Sequence, residues 1–197
     1  MHFLLPFILI LLLLFRHKLK AGDRTQRDKD RLFWERESKA NAVRKKDIEQ
    51  LHYITIPSSL PHIDTDNSKI NELFAQIEDM RSKRILNLTG MSNTDLKLEY
   101  GASNLAPLSE YDNNFTELAR LIAALGHSLI EENYISEAVS YLEFGIECGS
   151  DVSSNYVDLA KLYIRNGQAS KVKELLDKAD TLNSLSKNII IQKLQAL

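Results

Sequence analysis

The side chains able to do acid–base or metal chemistry are scattered along this sequence. It contains five histidines, at His2, His17, His52, His62 and His127. None of them has a second ligand in the HExxH spacing of a zinc site, and no glycine-rich phosphate loop occurs. His127 and Ser128 are helix neighbours that point apart, so they do not form a nucleophile and base. Cys148 is the single cysteine, which excludes an intramolecular disulfide and a cysteine-based metal cluster. We therefore expect no catalytic residues, no metal, no cofactor and no enzyme.

Charge is distributed unevenly along the 197 residues. Residues 16–50 hold 12 Lys and Arg against 7 Asp and Glu, a net charge of +5. Residues 51–197 hold 13 basic and 20 acidic residues, a net charge of −7. The basic part directly follows the most apolar part of the chain, which suits an anionic lipid surface. The acidic remainder argues against nucleic-acid binding, which needs a basic footprint.

The N-terminal segment from Phe3 to Phe15 reads FLLPFILILLLLF and is followed by Arg16, Lys18 and Lys20. Three interpretations are open: a cleaved signal peptide, a buried core helix and a membrane anchor. A signal peptide usually carries its positive charge before the apolar region, and a core helix normally keeps a polar face. We favour an anchor over residues 1–20. Its apolar run of about 13 residues covers roughly 20 Å of a hydrocarbon core of about 30 Å.

The basic flank predicts how such an anchor is oriented. Basic residues beside a span usually stay in the cytoplasm. We therefore expect a single-pass protein of the cell membrane, in contact with lipid through residues 3–15. Its N-terminus would lie outside and its C-terminal part would be cytoplasmic.

The middle of the chain divides into three predicted segments. Residues 21–50 alternate in charge and predict an exposed juxtamembrane helix, whose Trp34 either docks onto the domain, which we favour, or rests at the lipid headgroups. Residues 51–66 predict an extended connector that packs Tyr53, Ile54 and Ile56. Residues 67–113 predict a helix from an Asp66 or Asn67 cap to about Asn87, ended by Gly90. A Ser92–Asp95 capping box with a short helix follows, and then a loop over 101–113 that contains Pro107.

The segment 114–197 is predicted to be helical, with a capping pattern at Asn114–Glu117. Residues 119–152 and 153–186 are similar to one another when aligned end to end. The matched pairs are Leu125-Gly126 with Leu159-Ala160, Leu129 with Tyr163, Asn133 with Gly167, Ile135 with Ala169, Ala138 with Val172, Leu142 with Leu176, and Gly145 with Ala179. We expect Asn133 and Gly167 at turns between helices, where a positive φ is often needed.

These positions resemble the tetratricopeptide repeat family, whose period equals the constant step between the matched pairs. Ile122 and Tyr156 replace the signature Trp of that family, and Ser150 and Ser184 replace its signature Pro. The whole chain resembles bacterial membrane-anchored proteins with cytoplasmic helical repeats. The resemblance implies an all-α fold, in which two repeats are closed by a capping helix over 187–197.

In that family the first helices of the repeats line a concave surface that binds peptides. Transferred to this sequence, the resemblance implies a candidate partner-binding set of Arg120, His127, Glu131, Asp158, Lys161 and Arg165. The Lys/Asn clamp that some members use for C-terminal carboxylates is not visible.

The leading functional hypothesis is a membrane-anchored scaffold or adaptor that binds a cytoplasmic protein or peptide partner. The alternative is a lipid-facing structural or self-associating membrane protein, in which residues 16–50 act and the repeats only oligomerise. Substitution of His127, Lys161 and Arg165 by Ala, followed by a partner pull-down, would separate the two hypotheses.

Overall fold

The computed structural model describes residues 26–197, so the predicted membrane anchor at 1–20 lies outside the described residues. Residues 26–197 form an all-α protein without a strand, as the sequence predicts. None of the helices in this range is long and apolar enough to cross a membrane. In chain order they are α1 (26–41), α2 (Ser68–Met80), α3 (Asn93–Tyr100), α4 (Leu105–Glu131), α5 (Ile135–Glu147), α6 (Ser153–Arg165), α7 (Ser170–Asp180) and α8 (Lys187–Gln195).

The described chain forms two compact units. The first comprises 26–46 and Ser92–Leu105, and the second comprises Asp47–Met91 and Ala106–Leu197. The first unit therefore holds α1, α3 and a 3₁₀ turn over Ala102–Asn104. The second unit holds α2, nearly all of α4, and α5 to α8.

In the first unit, α1 packs against α3 through a half-buried ion pair. The Glu37 carboxylate accepts a hydrogen bond from Thr94 Oγ1 at 2.8 Å and also pairs with the Lys97 ammonium. The hydrogen bond from Lys97, and then that from Thr94, lowers the pKa of Glu37 below its usual value. This pairing keeps the carboxylate charged and holds α1 to α3.

The predicted helix over residues 21–50 is too long, because α1 ends at residue 41. The backbone N–H of Lys46 donates instead to the carbonyl of Tyr100 at 3.0 Å. Asn104 Nδ2 donates to the carbonyls of Lys46 and Tyr100 at 2.8 and 2.7 Å. These bonds satisfy the chain without helical geometry, so packing within this unit overrides the helix-forming composition.

The predicted capping box at the start of α3 is confirmed. Ser92 Oγ accepts a hydrogen bond from the N–H of Asp95, and the Asp95 carboxylate accepts one from the N–H of Ser92. Hydrogen bonds to the carboxylate from the Ser92 hydroxyl, then from the Ser92 backbone N–H, and then from Arg36 lower the pKa of Asp95. Two backbone N–H donors at the helix end are thereby satisfied by residues close in the chain. The sequence can therefore predict the start of α3.

Helix α2 starts where expected and ends earlier than expected. Asn67 is its N-cap and accepts hydrogen bonds from the N–H groups of Lys69 and Ile70. The predicted end near Asn87 is wrong, since α2 stops at Met80. Beyond that point the carbonyl of Ile85 accepts a hydrogen bond from Ile54 N–H at 2.9 Å. Pairing with the connector therefore replaces further helical turns.

The connector over 51–66 is irregular, as predicted, and is fixed by α2. Ile56 is buried, and Ile54 packs against the core. Arg81 donates to the carbonyls of Ile56 and Pro57 at 2.7 and 3.2 Å. One guanidinium thus satisfies backbone acceptors that have no strand partner.

The predicted loop over 101–113 and the predicted cap at Asn114–Glu117 are both wrong. Leu105–Glu131 is one helix of 27 residues. Pro107 lies in its first turn, where a missing N–H costs no helical hydrogen bond. Asn114 is inside the helix, and its Nδ2 donates to the carbonyl of Arg84 at 2.9 Å. Pro107 therefore marks the start of α4 at Leu105, and not a loop that precedes a helix at Asn114.

The core of the second unit forms where α5 crosses α4 and α6. A Cβ added at Gly145 in α5 would lie 2.6 Å from Asn155 Nδ2 and 2.9 Å from Ile122 Cγ2. A Cβ at Gly126 in α4 would lie 2.5 Å from Leu142 Cδ2. An alanine at either position would place its methyl group closer to these side chains than real contacts allow, so the neighbouring side chains would have to shift.

Three helices in succession end in the same way. Asn133, Gly149 and Gly167, which follow α4, α5 and α6, have φ of 63°, 77° and 73°. In each case the next residue donates its N–H to the carbonyl five positions back, at 2.7 to 3.0 Å. This is the Schellman arrangement. The expected positive φ at Asn133 and Gly167 is confirmed.

The turn after α5 is also tied to the segment that precedes α3. Asn87 Nδ2 donates to the carbonyls of Cys148 and Gly149 at 3.0 and 3.2 Å. Its own Oδ1 accepts a hydrogen bond from Thr89 N–H at 3.0 Å. The Asn87 side chain is therefore fully engaged by the fold.

We expect Gly145→Ala to lower the free energy of unfolding by about 1–2 kcal/mol, because overpacking costs about 1–3 kcal/mol against a gain in helix propensity of up to about 1 kcal/mol. Urea unfolding followed by circular dichroism measures the change. Glu147→Ala, an exposed position on the same helix, is the control and should stay within about 0.5 kcal/mol. A Gly145→Ala protein as stable as the wild type would show that α5 does not approach its neighbours this closely.

Candidate functional site

The candidate partner-binding residues lie on two helix faces of the second unit. On α4 they are seven and four residues apart, and on α6 they are three and four apart, so each set shares one side of its helix. The residues are Arg120, His127 and Glu131 on α4, and Asp158, Lys161 and Arg165 on α6. All are exposed except Asp158, whose side chain is 16% exposed. We call this surface the α4–α6 face.

His127 joins the two helices. Its Nδ1 lies 3.3 Å from Asp158 Oδ2, and its Nε2 lies 3.5 Å from Glu131 Oε1. A protonated imidazole donates to both carboxylates, whereas a neutral one donates to only one of them. The ring is 57% exposed, so the two pairs contribute little to stability. The structure thus brings together three of the six predicted residues.

The remaining three are cations that stay apart from this cluster. Within residues 26–197, Arg120, Lys161 and Arg165 form no ion pair. Because the two carboxylates already face His127, the positive charges of these three residues are the ones that a binding partner would meet on the α4–α6 face.

His127 and its two carboxylate partners are the groups of the α4–α6 face with the chemistry of metal ligands. The two nitrogens of His127 point to different carboxylates, so the three side chains do not converge on one point. The described residues contain no group of three His, Cys, Asp or Glu side chains placed to hold a metal ion. Burial raises the pKa of the Cys148 thiol to about 12, which keeps it in the unreactive protonated form.

An ionic contact pins the helices behind this face. Tyr163 Oη donates to Glu143 Oε1 at 2.5 Å, and Lys171 Nζ lies 4.7 Å from the centre of the Tyr163 ring. Burial, with the Glu143 carboxylate next, raises the pKa of Tyr163, so its hydroxyl remains a donor. This contact links α5, α6 and α7 behind the α4–α6 face.

Sequence reasoning missed a concave site elsewhere in the second unit. A cleft of about 830 Å³ lies between the connector and α2. Its lining residues are Ser58, Leu60, His62, Asp64, Thr65, Asn71, Phe74, Ala75, Glu78 and Arg81. The prolines at 57 and 61 indicated only irregular backbone, and no periodic pattern marks a cleft made by such a segment.

The walls of this cleft are held by aromatic contacts. The His62 ring lies 4.6 Å from the Phe74 ring, centre to centre. Tyr141 Oη donates to the carbonyl of Pro61 at 3.0 Å. The resulting cleft is lined by both apolar and polar side chains.

Comparison with protein-family models, with curated proteins and with solved structures finds no match to this chain. The described residues define the protein only as an all-α protein with a charged face on two neighbouring helices. Its resemblance to tetratricopeptide repeats stays a prediction from the sequence.

We expect His127→Ala/Lys161→Ala/Arg165→Ala to fold with a free energy of unfolding within about 1 kcal/mol of wild type, because exposed ion pairs contribute roughly 0–1 kcal/mol and two of these three residues form none. Urea unfolding of both proteins checks this. A loss above about 2 kcal/mol would assign these residues to the stability of the fold and not to a free surface.

Proposed function

We propose that this protein is a membrane-anchored helical-repeat scaffold that binds a protein or peptide partner on the α4–α6 face. One observation carries the proposal. The two helices present adjoining exposed faces whose cations have no ion-pair partner among the described residues, while His127 bridges to Asp158 at 3.3 Å. Charged side chains placed side by side without a structural role are typical of a recognition surface.

The spacing of the helices supports the repeat part of the proposal. Helix α6 begins at Ser153 and α8 begins at Lys187, which is one tetratricopeptide period further along the chain. The turns at Asn133 and Gly167 share a positive φ and are separated by the same period. Helix α8 packs against α6 and α7. On this proposal, residues 119–152 and 153–186 are two units, and α8 covers the second.

The charges of the α4–α6 face favour a partner with acidic side chains. Its two carboxylates are directed at His127, so the positive charge of the other three residues is the uncompensated part. A partner carboxylate beside Lys161 or Arg165 gains a charge-assisted hydrogen bond that the free protein does not make.

We expect His127→Ala/Lys161→Ala/Arg165→Ala to lose at least one partner that the wild type recovers in an affinity pull-down, by roughly tenfold, which corresponds to about 1.4 kcal/mol. The control is Lys173→Ala/Lys178→Ala on the exposed side of α7, which should recover the same partners as wild type. Unchanged recovery by the α4–α6 variant, or equal loss by the α7 control, would refute binding through this face.

The anchoring part of the proposal rests on residues 3–15 and their basic flank. We expect the full chain to sediment with membranes and to require detergent for release, because an all-apolar segment partitions into lipid. A chain without residues 1–20 should move to the soluble fraction. If both chains partition alike, the anchor is wrong, whatever the α4–α6 face binds.

The alternative, a self-associating membrane protein, is favoured by one observation. Apolar side chains at and around α8 are exposed, namely Leu185 (100%), Ile189 (52%) and Leu197 (49%). Recovery of only the chain itself in the pull-down, equally in both variants, would support this alternative over the scaffold.

A further inference from the structure

The largest exposed aromatic group of the described chain lies on α1. Leu32, Phe33 and Trp34 are 59%, 54% and 66% exposed. The Phe33 and Trp34 rings meet edge to face, with centres 5.3 Å apart. The expectation that Trp34 packs onto the domain is therefore wrong. We call these three residues the apolar band of α1.

The band precedes the part of α1 that packs within its own unit. Contacts with α3 begin at Arg36, which pairs with Asp95, and continue at Glu37, which bonds Thr94 and Lys97. Helix α3 itself starts after its cap at Ser92. The part of α1 from Arg36 onward is thus held by α3, whereas the three residues of the band come before these contacts.

We propose that the apolar band of α1 inserts into the headgroup region of an anionic bilayer, as a second lipid contact beside the anchor. This inference rests on the membrane anchoring proposed above. Aromatic residues concentrate at this depth, because their rings combine an apolar body with a polar edge. The band would thereby set the orientation of α1 along the membrane surface.

Charge complementarity favours an anionic lipid surface as the occupant. Residues 16–27 contain five Lys and Arg and one Asp, and they lie between the apolar run and the band. Basic residues near a membrane surface are attracted to anionic lipids. Only the segment 16–31 separates Phe15 from the band, so the chain itself keeps the band close to any membrane that holds the apolar run.

The pattern of the band disfavours a protein groove. A helix that docks into a groove uses apolar residues at i, i+3, i+4 and i+7. Three and four positions from Phe33 on either side, the residues are Lys29, Asp30, Arg36 and Glu37. Three consecutive apolar residues instead cover about 200° of the helix circumference. A fluid interface can surround such a band, and the flanking charged side chains can reach the headgroups.

Trp34 is the only tryptophan in the chain, so its fluorescence reports on the band alone. The full-length protein is reconstituted into vesicles of phosphatidylcholine with phosphatidylglycerol, and into phosphatidylcholine vesicles. We expect a blue-shifted emission and at least twofold quenching by lipids brominated at shallow acyl-chain positions, stronger in the anionic vesicles. Leu32→Ser/Phe33→Ser keeps Trp34 and should lose most of the quenching.

The outcomes separate this inference from the anchor. Protein that floats with vesicles but shows exposed, unquenched Trp34 overturns the inference and leaves the anchor intact. Protein that does not float with vesicles overturns both. A blue shift that grows with protein concentration in detergent, without vesicles, shows that a second copy covers the band and also overturns the inference.

Discussion

The close approach of α5 to its two neighbours is the constraint on which the second unit depends. Gly145 leaves no room for a methyl group between Asn155 and Ile122. Because one helix is pressed between two others at this point, the faces that turn inward are fixed for all three. The outward faces of α4 and α6 follow from this packing, and so does their alignment. The arrangement of the α4–α6 face therefore results from the close packing of α5 behind it.

The same packing explains why charged residues can accumulate on the outward side. The buried sides of these helices already carry large apolar residues such as Leu125, Leu129 and Leu159, each fully buried. These buried residues stabilise the fold, so the charge of the exposed positions can vary with little effect on stability. His127 uses that freedom to connect two helices through solvent-exposed pairs that cost little to make or break.

How much the sequence predicts depends on the range of the interaction involved. The all-α class, the Asn67 cap, the Ser92–Asp95 box and the positive φ at Asn133 and Gly167 rest on bonds between residues close in the chain. The errors involve distant partners. Helix α2 ends at Met80 because Ile85 pairs with Ile54, and the cleft exists because Tyr141 and Arg81 hold the connector. The candidate residues lie on two helix faces, but the His127 bridge could not be read from the sequence because it depends on the spatial neighbourhood of Asp158.

The turn that Asn87 closes has a consequence for covalent modification. Asn87-Leu88-Thr89 has the form of an N-glycosylation sequon, and Asn114-Phe115-Thr116 has it too. In the fold, the nitrogen to which a glycan would attach donates hydrogen bonds, from Asn87 to two carbonyls and from Asn114 to that of Arg84. An N-linked sugar replaces one of the two amide hydrogens, so at Asn87 it would remove one of these two bonds, whereas Asn114 would keep one hydrogen for the carbonyl of Arg84. A glycan at Asn87 would therefore weaken the connection between this segment and the turn after α5, and a glycan at Asn114 would not need to break its bond to Arg84.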